Sequence, residues 1–299
     1  MPRPEPPLVI WLGDGEGETH LVGGKAASLL ALTSMGFRVP PGFCLTTAAF
    51  SAQVHAIPPA AEAVGRLPNE DARAALTTAF ESNPLAPEVA TALEDAVRRL
   101  THELQMISAE PVRYAVRSSG IGEDSSTASF AGLHETELGV APEAVPDAVR
   151  RCWASLWSAA AVAYRQRRGL THDGGGMAVI VQALVPADAA AVVFTRHPVS
   201  GRTDQFVITA IRGLGEAMVS GTITPDTWVV DRETADLLDY TPGDRAPGQA
   251  GAAIEPTSLH GLVALALQVD RAFGAPVDIE AAVAGDVWYL LQARPITTS

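Results

Sequence analysis

Cysteine, positive charge and long apolar runs are all scarce in this sequence. The 299 residues include two cysteines, Cys44 and Cys152, which lie far apart and outside any C-x-x-C or Cys/His cluster, and this argues against a disulfide framework or a zinc site. Lys and Arg total 21 against 34 Asp and Glu, and the net charge of −13 argues against a nucleic-acid partner. No apolar run approaches the roughly 20 residues that a membrane-spanning helix needs. We therefore expect a cytoplasmic protein with no membrane partner.

Two families of catalytic motif are also missing. The seven histidines form neither HExxH nor a nucleophile motif such as GxSxG, which disfavours zinc proteases and hydrolase triads. Hydrophobic residues make up 47% of the chain, enough for a large core. We expect one bilobed unit or two domains.

The secondary-structure pattern changes along the chain. Residues 56–110 are rich in Ala, Glu and Arg and indicate helices, with an apolar face at three- and four-residue spacing: Val89, Leu93, Val97, Leu100 and Leu104. Helical patterns also cover residues 142–168 and 257–273. Short β-branched and aromatic runs predict eight strands: VRYAVRS, HETELGV, MAVIVQALV, AAVVFT, QFVITAI, TWVVD, VDIEAAV and VWYLLQA. The predicted class is α+β with largely antiparallel sheet.

Two glycine-containing segments in the first half could meet an anion. In VGGKAASLLALTSMGF, two glycines precede Lys25 and an apolar-periodic helix follows, so backbone N–H groups and one ammonium could face a phosphate. In VRYAVRSSGIGEDSSTASFAGLHETEL, a strand delivers Arg117 to a loop rich in Gly, Ser and Thr that could cover phosphates. Taken alone, the first segment is more often a plain turn, and the second could be an exposed loop with a salt-bridged arginine.

The C-terminal segment APVDIEAAVAGDVWYLLQARP predicts a β-hairpin around Ala284, Gly285 and Asp286. Alternation puts Asp278 and Glu280 on one face, and with residue numbers summing to about 570 across the hairpin, Asp278 pairs with Gln292 and Glu280 with Leu290. Two acids, an amide and a guanidinium, that of Arg294, would then share a face with Trp288 and Leu290. Hard oxygen ligands beside an arginine suit a divalent cation with its phosphates, and an exposed polar sheet face is the alternative.

Two further polar features are less specific. Gln182 lies inside an apolar strand, where a buried amide must be hydrogen-bonded, and a structural role explains it equally well. Glu216 lies in the glycine-rich segment IRGLGEAMVSGTITPD, which could be only a connector.

Together these segments resemble the ATP-binding domain of the phosphoenolpyruvate synthase and pyruvate phosphate dikinase family, which rifampin phosphotransferases share. The resemblance runs from LVGGKAASL through AVRSSGIGED, SFAGLHET, VIVQALV, VVFTRHPVSG, GLGEAMVSGTITPD and DIE to LQARPI. It implies an ATP-grasp architecture in which two lobes clasp ATP: residues 1–185 with a helical insertion, and residues 186–299 with the metal-binding hairpin.

The resemblance also implies roles for individual residues. Lys25, Arg117 and Arg294 correspond to the catalytic residues that contact the ATP phosphates, and Gly132 and Thr136 to the loop that covers them. Glu280 and Gln292 correspond to Mg²⁺ ligands and Asp278 to the acidic residue before them, while the strand of Gln182 corresponds to the hinge bordering adenine. The early lysine turn and the late hairpin are thus expected to act on one magnesium-bound triphosphate.

In this family, a histidine on a separate swivelling domain attacks ATP and takes a pyrophosphoryl group with release of AMP. It then carries a phosphoryl group to a small-molecule acceptor at a distant site. No swivelling-histidine segment is evident in this sequence, so the expected function is the Mg–ATP module of such a phosphotransferase, with the histidine supplied by another domain or subunit. The alternative is a non-catalytic module that binds ATP or ADP and signals occupancy to a partner. An ATP-dependent ligase with the same architecture, which would release ADP, is a third possibility.

Overall fold

The structure, a computed structural model, describes residues 5–14, 17–121, 136–168, 176–219, 221–245 and 251–296. The chain forms two compact units, residues 1–34 with 41–184 and residues 35–40 with 185–299. Each unit contains an antiparallel sheet, so the predicted α+β class is confirmed. Within the described part of the chain, none of the helices is both long and apolar enough to traverse a bilayer.

A five-stranded sheet organises the first unit. Its strands, in chain order, are β1 (Val9–Trp11), β2 (Gly42–Leu45), β3 (Tyr114–Gly120), β4 (Thr136–Val140) and β5 (Met177–Ala183). Their order across the sheet is β1, β2, β5, β3, β4, and neighbouring strands are antiparallel. The helices of this unit are α1 (Thr19–Ser34), α2 (Thr47–Ala56), α3 (Pro58–Val64), α4 (Glu70–Ser82), α5 (Pro87–Gln105), α6 (Val145–Ser155) and α7 (Ala159–Arg168).

Helices α2 to α6 contribute to the main core on one face of this sheet. The apolar face predicted for α5 is confirmed, since Val89, Leu93, Val97 and Leu100 are buried and Leu104 packs against the core. Burying such a stripe is what stabilises an amphipathic helix in a protein. An aromatic cluster fills the centre of the core, with neighbouring ring centroids 4.6 to 6.3 Å apart: Phe50, Phe80, Trp153 and Trp157.

Helix α1 covers the opposite face of the sheet. Phe43, Val181 and Val116 lie opposite one another on the core face, whereas the next row, Cys44, Ile180 and Arg117, points the other way. The thiol of Cys44 contacts the carbonyl oxygen of Val22 in α1 at 3.7 Å. Helix α1 therefore packs on the face that carries Arg117.

A six-stranded sheet organises the second unit. Its strands are β6 (Ala189–Phe194), β7 (Gln205–Arg212), β8 (Asp226–Asp231), β9 (Leu237–Thr241), β10 (Val277–Ala284) and β11 (Val287–Pro295). They are arranged in the order β11, β10, β6, β7, β8, β9, with antiparallel neighbours. The helices of this unit are α8 (Glu216–Val219) and α9 (Pro256–Phe273).

Helix α9 covers one face of the second sheet. The helix predicted over residues 257–273 is present, and its buried residues include Leu262, Val263, Ala266 and Val269, which lie on one face. The indole Nε1 of Trp288 in β11 donates a hydrogen bond to the carbonyl oxygen of Ser258 in α9, at 3.0 Å. The alternating residues Val277, Ile279, Ala281 and Val283 of β10 are buried, and their neighbours Asp278 and Glu280 point to the other face.

Candidate functional site

The glycines before Lys25 mark a kink between two helical segments of α1. A helix follows the glycines, as the sequence predicted, but helical residues from Thr19 also precede them, and Gly23 has a non-helical φ of 73° and ψ of 173°. A Cβ at Gly23 would lie 2.2 Å from the backbone oxygen of Ser119, so only glycine allows this approach. The glycine that looked like a plain turn therefore lets α1 dock against β3.

Polar contacts with β3 then place the ammonium of Lys25. Its Nζ donates to the carbonyl oxygen of Ser118 at 3.1 Å, and the backbone N–H of Ala26 donates to Oγ of Ser119 at 3.1 Å. Ser118 follows Arg117 directly in the chain. The structure thus brings the Lys25 ammonium to the strand that carries Arg117.

Arg117, Thr136 and Gln182 share one sheet face. In the strand ladders Arg117 lies opposite Thr136 of β4 and Ile180 of β5, and Gln182 lies two residues beyond Ile180. Residues two apart on a strand point to the same side, so this is the face that α1 packs on. Arg117 is 9% exposed and Gln182 2%, whereas Thr136 is exposed. Gly132 lies outside the described residues.

Gln182 is enclosed by a close backbone approach. Its ladder partner is Gly42 of β2, where a Cβ would lie 2.5 Å from the backbone oxygen of Val181 and 2.9 Å from Cα of Gln182. A side chain at position 42 would push the two strands apart. The sequence shows Gly42 only as a residue after two prolines, so this requirement was not apparent from it.

The C-terminal hairpin brings its four polar side chains onto one face. Strands β10 and β11 are joined through Gly285 and Asp286, and Asp278 lies opposite Arg294 while Glu280 lies opposite Gln292. Opposite residues in an antiparallel ladder share a face and have Cβ atoms about 5 Å apart. The predicted hairpin and its shared polar face are therefore confirmed.

The predicted pairing within the hairpin is wrong by two residues. Asp278 was expected opposite Gln292 and Glu280 opposite Leu290, but a bulge shifts the register between Glu280 and Ala281, and Leu290 lies opposite Ala281. An extra residue in one strand changes which side chains oppose one another beyond it. The error has two equal parts: the turn is centred between Gly285 and Asp286, so paired residue numbers sum to 571 beside it, and the bulge raises this sum to 572 for Asp278 and Glu280.

The centre of the turn also changes the predicted environment of the site. Trp288 and Leu290 were expected on the face of the acids, but they lie opposite Val283 and Ala281, on the face that α9 covers. Leu291, the additional residue, reverses the alternation so that Gln292 and Arg294 join Asp278 and Glu280. The aromatic residue is thus part of the α9 core and does not enclose the polar face.

Arg294 and Asp278 form a salt bridge on this face. The Nε and Nη2 atoms of Arg294 lie 3.0 and 2.9 Å from Oδ2 of Asp278, and the Asp278 side chain is 13% exposed. Glu280 and Gln292 present carboxylate and amide oxygens, which are the hard ligands that Mg²⁺ takes alongside phosphate and water. Among the residues that the structure describes, no three His, Cys, Asp or Glu side chains gather into a metal-binding group.

The loop after α1 belongs to the second unit and contacts the hairpin. The carbonyl oxygen of Arg38 accepts the N–H of Leu290 at 2.9 Å, and its guanidinium carbon lies 5.9 Å from the centre of the Tyr289 ring. Sequence reasoning missed this contact, because residue 38 and residue 290 are remote in the chain. It supports β11 next to the bulge.

The segment GLGEAMVSGTITPD is organised by an aspartate that the sequence reading passed over. Glu216 begins the short helix α8 and is exposed, whereas Asp226 is buried and accepts the N–H groups of Gly243 and Ala253 at 2.8 and 2.6 Å. Its Oδ1 also lies 2.5 Å from Nη2 of Arg245. Burial alone would raise the pKa of Asp226, but these donors together hold the pKa below its usual value.

Comparison with known proteins identifies the family of this chain. The family model for "Pyruvate phosphate dikinase, AMP/ATP-binding domain" matches residues 19–299. The chain is 36% identical over 312 residues to a probable phosphoenolpyruvate synthase of Methanothermobacter thermautotrophicus, with 95% of this chain and 45% of that protein covered. It is 37% identical over 305 residues to a rifampicin phosphotransferase of Streptomyces sviceus, with 95% and 35% covered.

A third relative, the prodigiosin synthesizing transferase PigC of Serratia marcescens, is 35% identical over 317 residues, with 98% of this chain and 33% of that protein covered. Among solved structures, D-alanine-D-alanine ligase from Helicobacter pylori aligns with 91% of this chain and 53% of that chain at 11% identity. Its TM-score of 0.36 is too low to support an argument. The chain spans less than half the length of the three curated relatives. With the family model matched over residues 19–299, the chain belongs to the pyruvate phosphate dikinase AMP/ATP-binding domain family.

Proposed function

We propose that this chain binds Mg–ATP and provides the ATP-binding module of a dikinase-type phosphotransferase. The observation that carries the proposal is the hairpin ladder, in which Glu280 opposes Gln292 and Asp278 opposes Arg294 on one face. Two oxygen ligands beside a carboxylate-held guanidinium form a set that suits a metal-bound phosphate chain. Family membership adds AMP or ATP as the class of ligand.

The four polar residues of the hairpin face have different roles in this proposal. Glu280 and Gln292 would hold Mg²⁺, which when bound neutralises phosphate charge. Asp278 orients the Arg294 guanidinium by accepting its Nε and Nη2 protons, and Arg294 stabilises charge that develops on the transferring phosphates. The carboxylate of Asp278 is therefore assigned to positioning the arginine.

The polar face of the first unit would act on the same nucleotide. Lys25 and Arg117 supply positive charge for the phosphates, Thr136 and Gly132 belong to the covering loop, and Gln182 borders adenine. We propose that the two units are the two ATP-grasp lobes, with the division near residue 185.

The proposed reaction is transfer to a histidine on another domain or subunit. A histidine nitrogen attacks the β-phosphorus of ATP, the new P–N bond forms as the bond from that phosphorus to the α,β-bridging oxygen breaks, and AMP leaves with that oxygen. The relatives are a probable phosphoenolpyruvate synthase, a rifampicin phosphotransferase and a prodigiosin synthesizing transferase, so their names point to different overall reactions. We confine the proposal to this step, which leaves a pyrophosphoryl group on the histidine. Water would then cleave the bridge between its two phosphorus atoms and release inorganic phosphate, after which a small-molecule acceptor would take the remaining phosphoryl group.

Calorimetric titration with ATP, in magnesium and in EDTA, tests the binding step. We expect wild type to bind ATP more tightly in magnesium than in EDTA. In Glu280→Ala this gain in affinity should be about 10- to 100-fold smaller, the usual loss when a metal site is disturbed. Asp286→Ala, which removes the same charge from the exposed hairpin turn, is the matched control and should keep the gain. Equal binding by wild type in both buffers would contradict the proposal.

The product tests the chemistry. With a histidine domain from a relative added as a separate chain, we expect AMP to form from ATP only when both chains are present. Formation of ADP instead would indicate a ligase-type route. Tight magnesium-dependent binding without any turnover would indicate the non-catalytic module.

A further inference from the structure

A buried polar network lies beside the hairpin in the second unit, outside the residues assigned above. Thr195, directly after β6, is fully buried, and its Oγ1 donates to Oδ1 of Asp270 in α9 at 2.6 Å. Oγ1 of Thr195 also accepts the backbone N–H of Val277, at 2.7 Å. Arg232 pairs with the other carboxylate oxygen of Asp270, and its Nη1 donates to the backbone oxygen of Thr195 at 3.1 Å.

This network binds Val277, the residue that precedes Asp278. Besides the side-chain bond, the N–H of Thr195 donates to the carbonyl oxygen of Val277 at 2.9 Å, so both backbone groups of Val277 are bound to Thr195. A hydroxyl has one proton, which here goes to Asp270, and its lone pairs remain to accept from Val277. Asp270 therefore fixes the orientation in which Thr195 can receive strand β10.

Packing alone discriminates poorly between registers of β10 on β6. The paired segments are AAAVVF in β6 and VDIEAAVA in β10. On the face that α9 covers, a shift by two residues would again pair apolar side chains, with Val277 opposite Val193 and Ala281 opposite Ala189. Such a shift would move Asp278 and Glu280 along the strand by about 7 Å, at about 3.3 Å per residue. A shift by one residue would turn both acids to the face of α9.

We propose that Thr195, oriented by Asp270 and Arg232, is a positioning residue that fixes the register of β10 and thereby the places of Asp278 and Glu280. This inference rests on the proposed Mg–ATP function. It assigns to the network an effect on metal binding that a general contribution to stability would not produce.

The test compares Thr195→Val with Thr195→Ser. Valine keeps the shape but removes the hydroxyl, whereas serine retains it. The readout is the ratio of ATP affinity in magnesium to that in EDTA, measured by calorimetry, together with the thermal midpoint. We expect Thr195→Val to lower this ratio by about 10-fold, the effect typical of removing a group that orients a metal ligand. Thr195→Ser should restore most of it.

A second buried aspartate–arginine network in the same unit gives a matched control. Asp226 is 1% exposed and pairs with Arg245, much as Asp270, which is 6% exposed, pairs with Arg232. We expect Asp270→Asn and Asp226→Asn to lower the thermal midpoint by comparable amounts. Only Asp270→Asn should lower the magnesium ratio, because Asp226 has no contact with β10 or Thr195 among the described hydrogen bonds.

The outcomes separate this inference from the proposed function. A wild-type chain without a magnesium gain overturns the proposed function and the inference with it. A normal gain in wild type and an unchanged ratio in Thr195→Val, whatever happens to its thermal midpoint, overturns the inference alone. If Thr195→Val does not fold, the ratio of ATP affinity in magnesium to that in EDTA is measured for Arg232→Lys instead. Lysine keeps the charge but loses the guanidinium geometry, so a lowered ratio supports the inference and an unchanged ratio overturns it.

Discussion

The polar faces of the two units are assembled by different routes. In the first unit, Lys25 contacts Ser118, 93 residues away along the chain, whereas in the second unit Asp278 and Arg294 are 16 residues apart in one hairpin. The hairpin face depends on strand alternation and a short turn, which are local properties. The face with Lys25 and Arg117 depends on how α1 docks on β3, which local pattern does not specify.

The two polar faces also differ in the residues that support them. The first face depends on the missing side chains of Gly23 and Gly42, which let backbones approach closely. The second depends on an added residue, Leu291, and on a polar network at Thr195. Substitutions should therefore disturb the first face by introducing volume and the second by removing hydrogen bonds or shifting the register.

The largest expected effect tests whether both faces act on one nucleotide. We expect Lys25→Ala and Arg294→Ala each to lower AMP formation by about 10²- to 10³-fold, the usual loss when a charge-stabilising group is removed. If both contact the same phosphate chain, the double variant should lose less than the product of the single losses. The measurement is the rate of AMP release with the histidine domain present. Multiplicative losses would mean that the two faces act independently.

Gly23→Ala should have the next largest effect and acts on the first face only. A Cβ there meets the Ser119 backbone and forces an alanine to a φ of 73°, so we expect the thermal midpoint of this unit to fall by about 10 °C. The control is Gly139→Ala, where φ is 74° but nothing lies within 4 Å of the added Cβ. Its loss should be clearly smaller, because only backbone strain remains. Equal losses would show that docking of α1 does not require this contact.

The smallest effect concerns pH and the second unit. The lowered pKa of Asp226 means that its carboxylate contributes stability above the unfolded-state value of about 3.9, and this contribution is lost as pH falls through the lower folded value. Asp226→Asn should therefore be less stable than wild type at pH 7, by about 1 to 2 kcal/mol, and the gap should narrow below about pH 4. Urea unfolding at both pH values measures this. A gap that widens at low pH would contradict the assignment.

The fold was predictable where the local pattern was strong. All eight strands predicted from β-branched runs are present, and the helices of residues 56–110 were recognised from their apolar spacing. The missed strands are β1, β2 and β9. Strand β1 has three residues and β9 is exposed along its length, so neither displays the alternation of a half-buried strand. Strand β2 is only four residues, buried throughout.

The sequence predicted which residues of the site share a sheet face better than it predicted which residues lie opposite one another. Alternation placed Asp278 and Glu280 together, but the partner of each was off by two residues, one from the centre of the turn and one from the bulge at Leu291, and neither leaves a local mark in the sequence. The contribution of Gly23 was open to two explanations until its contact with Ser119 was seen. Thr195 gave a weak signal, as a hydroxyl at the end of the apolar run AAVVFT, but its partners Asp270 and Arg232 come from distant segments.

The order and chemistry of the side chains, the α+β class and the family membership follow from the sequence itself, because they depend on residue identity and on periods of two and 3.6 residues. The tertiary structure decided the docking of α1 against β3, the shifted ladder of the hairpin and the polar network that holds β10. The hairpin ladder depends on its turn and its bulge, which strand alternation alone does not specify, and the other two rest on contacts between residues remote in the chain. Such contacts form only after the sheets and helices pack, so no local window of sequence contains them.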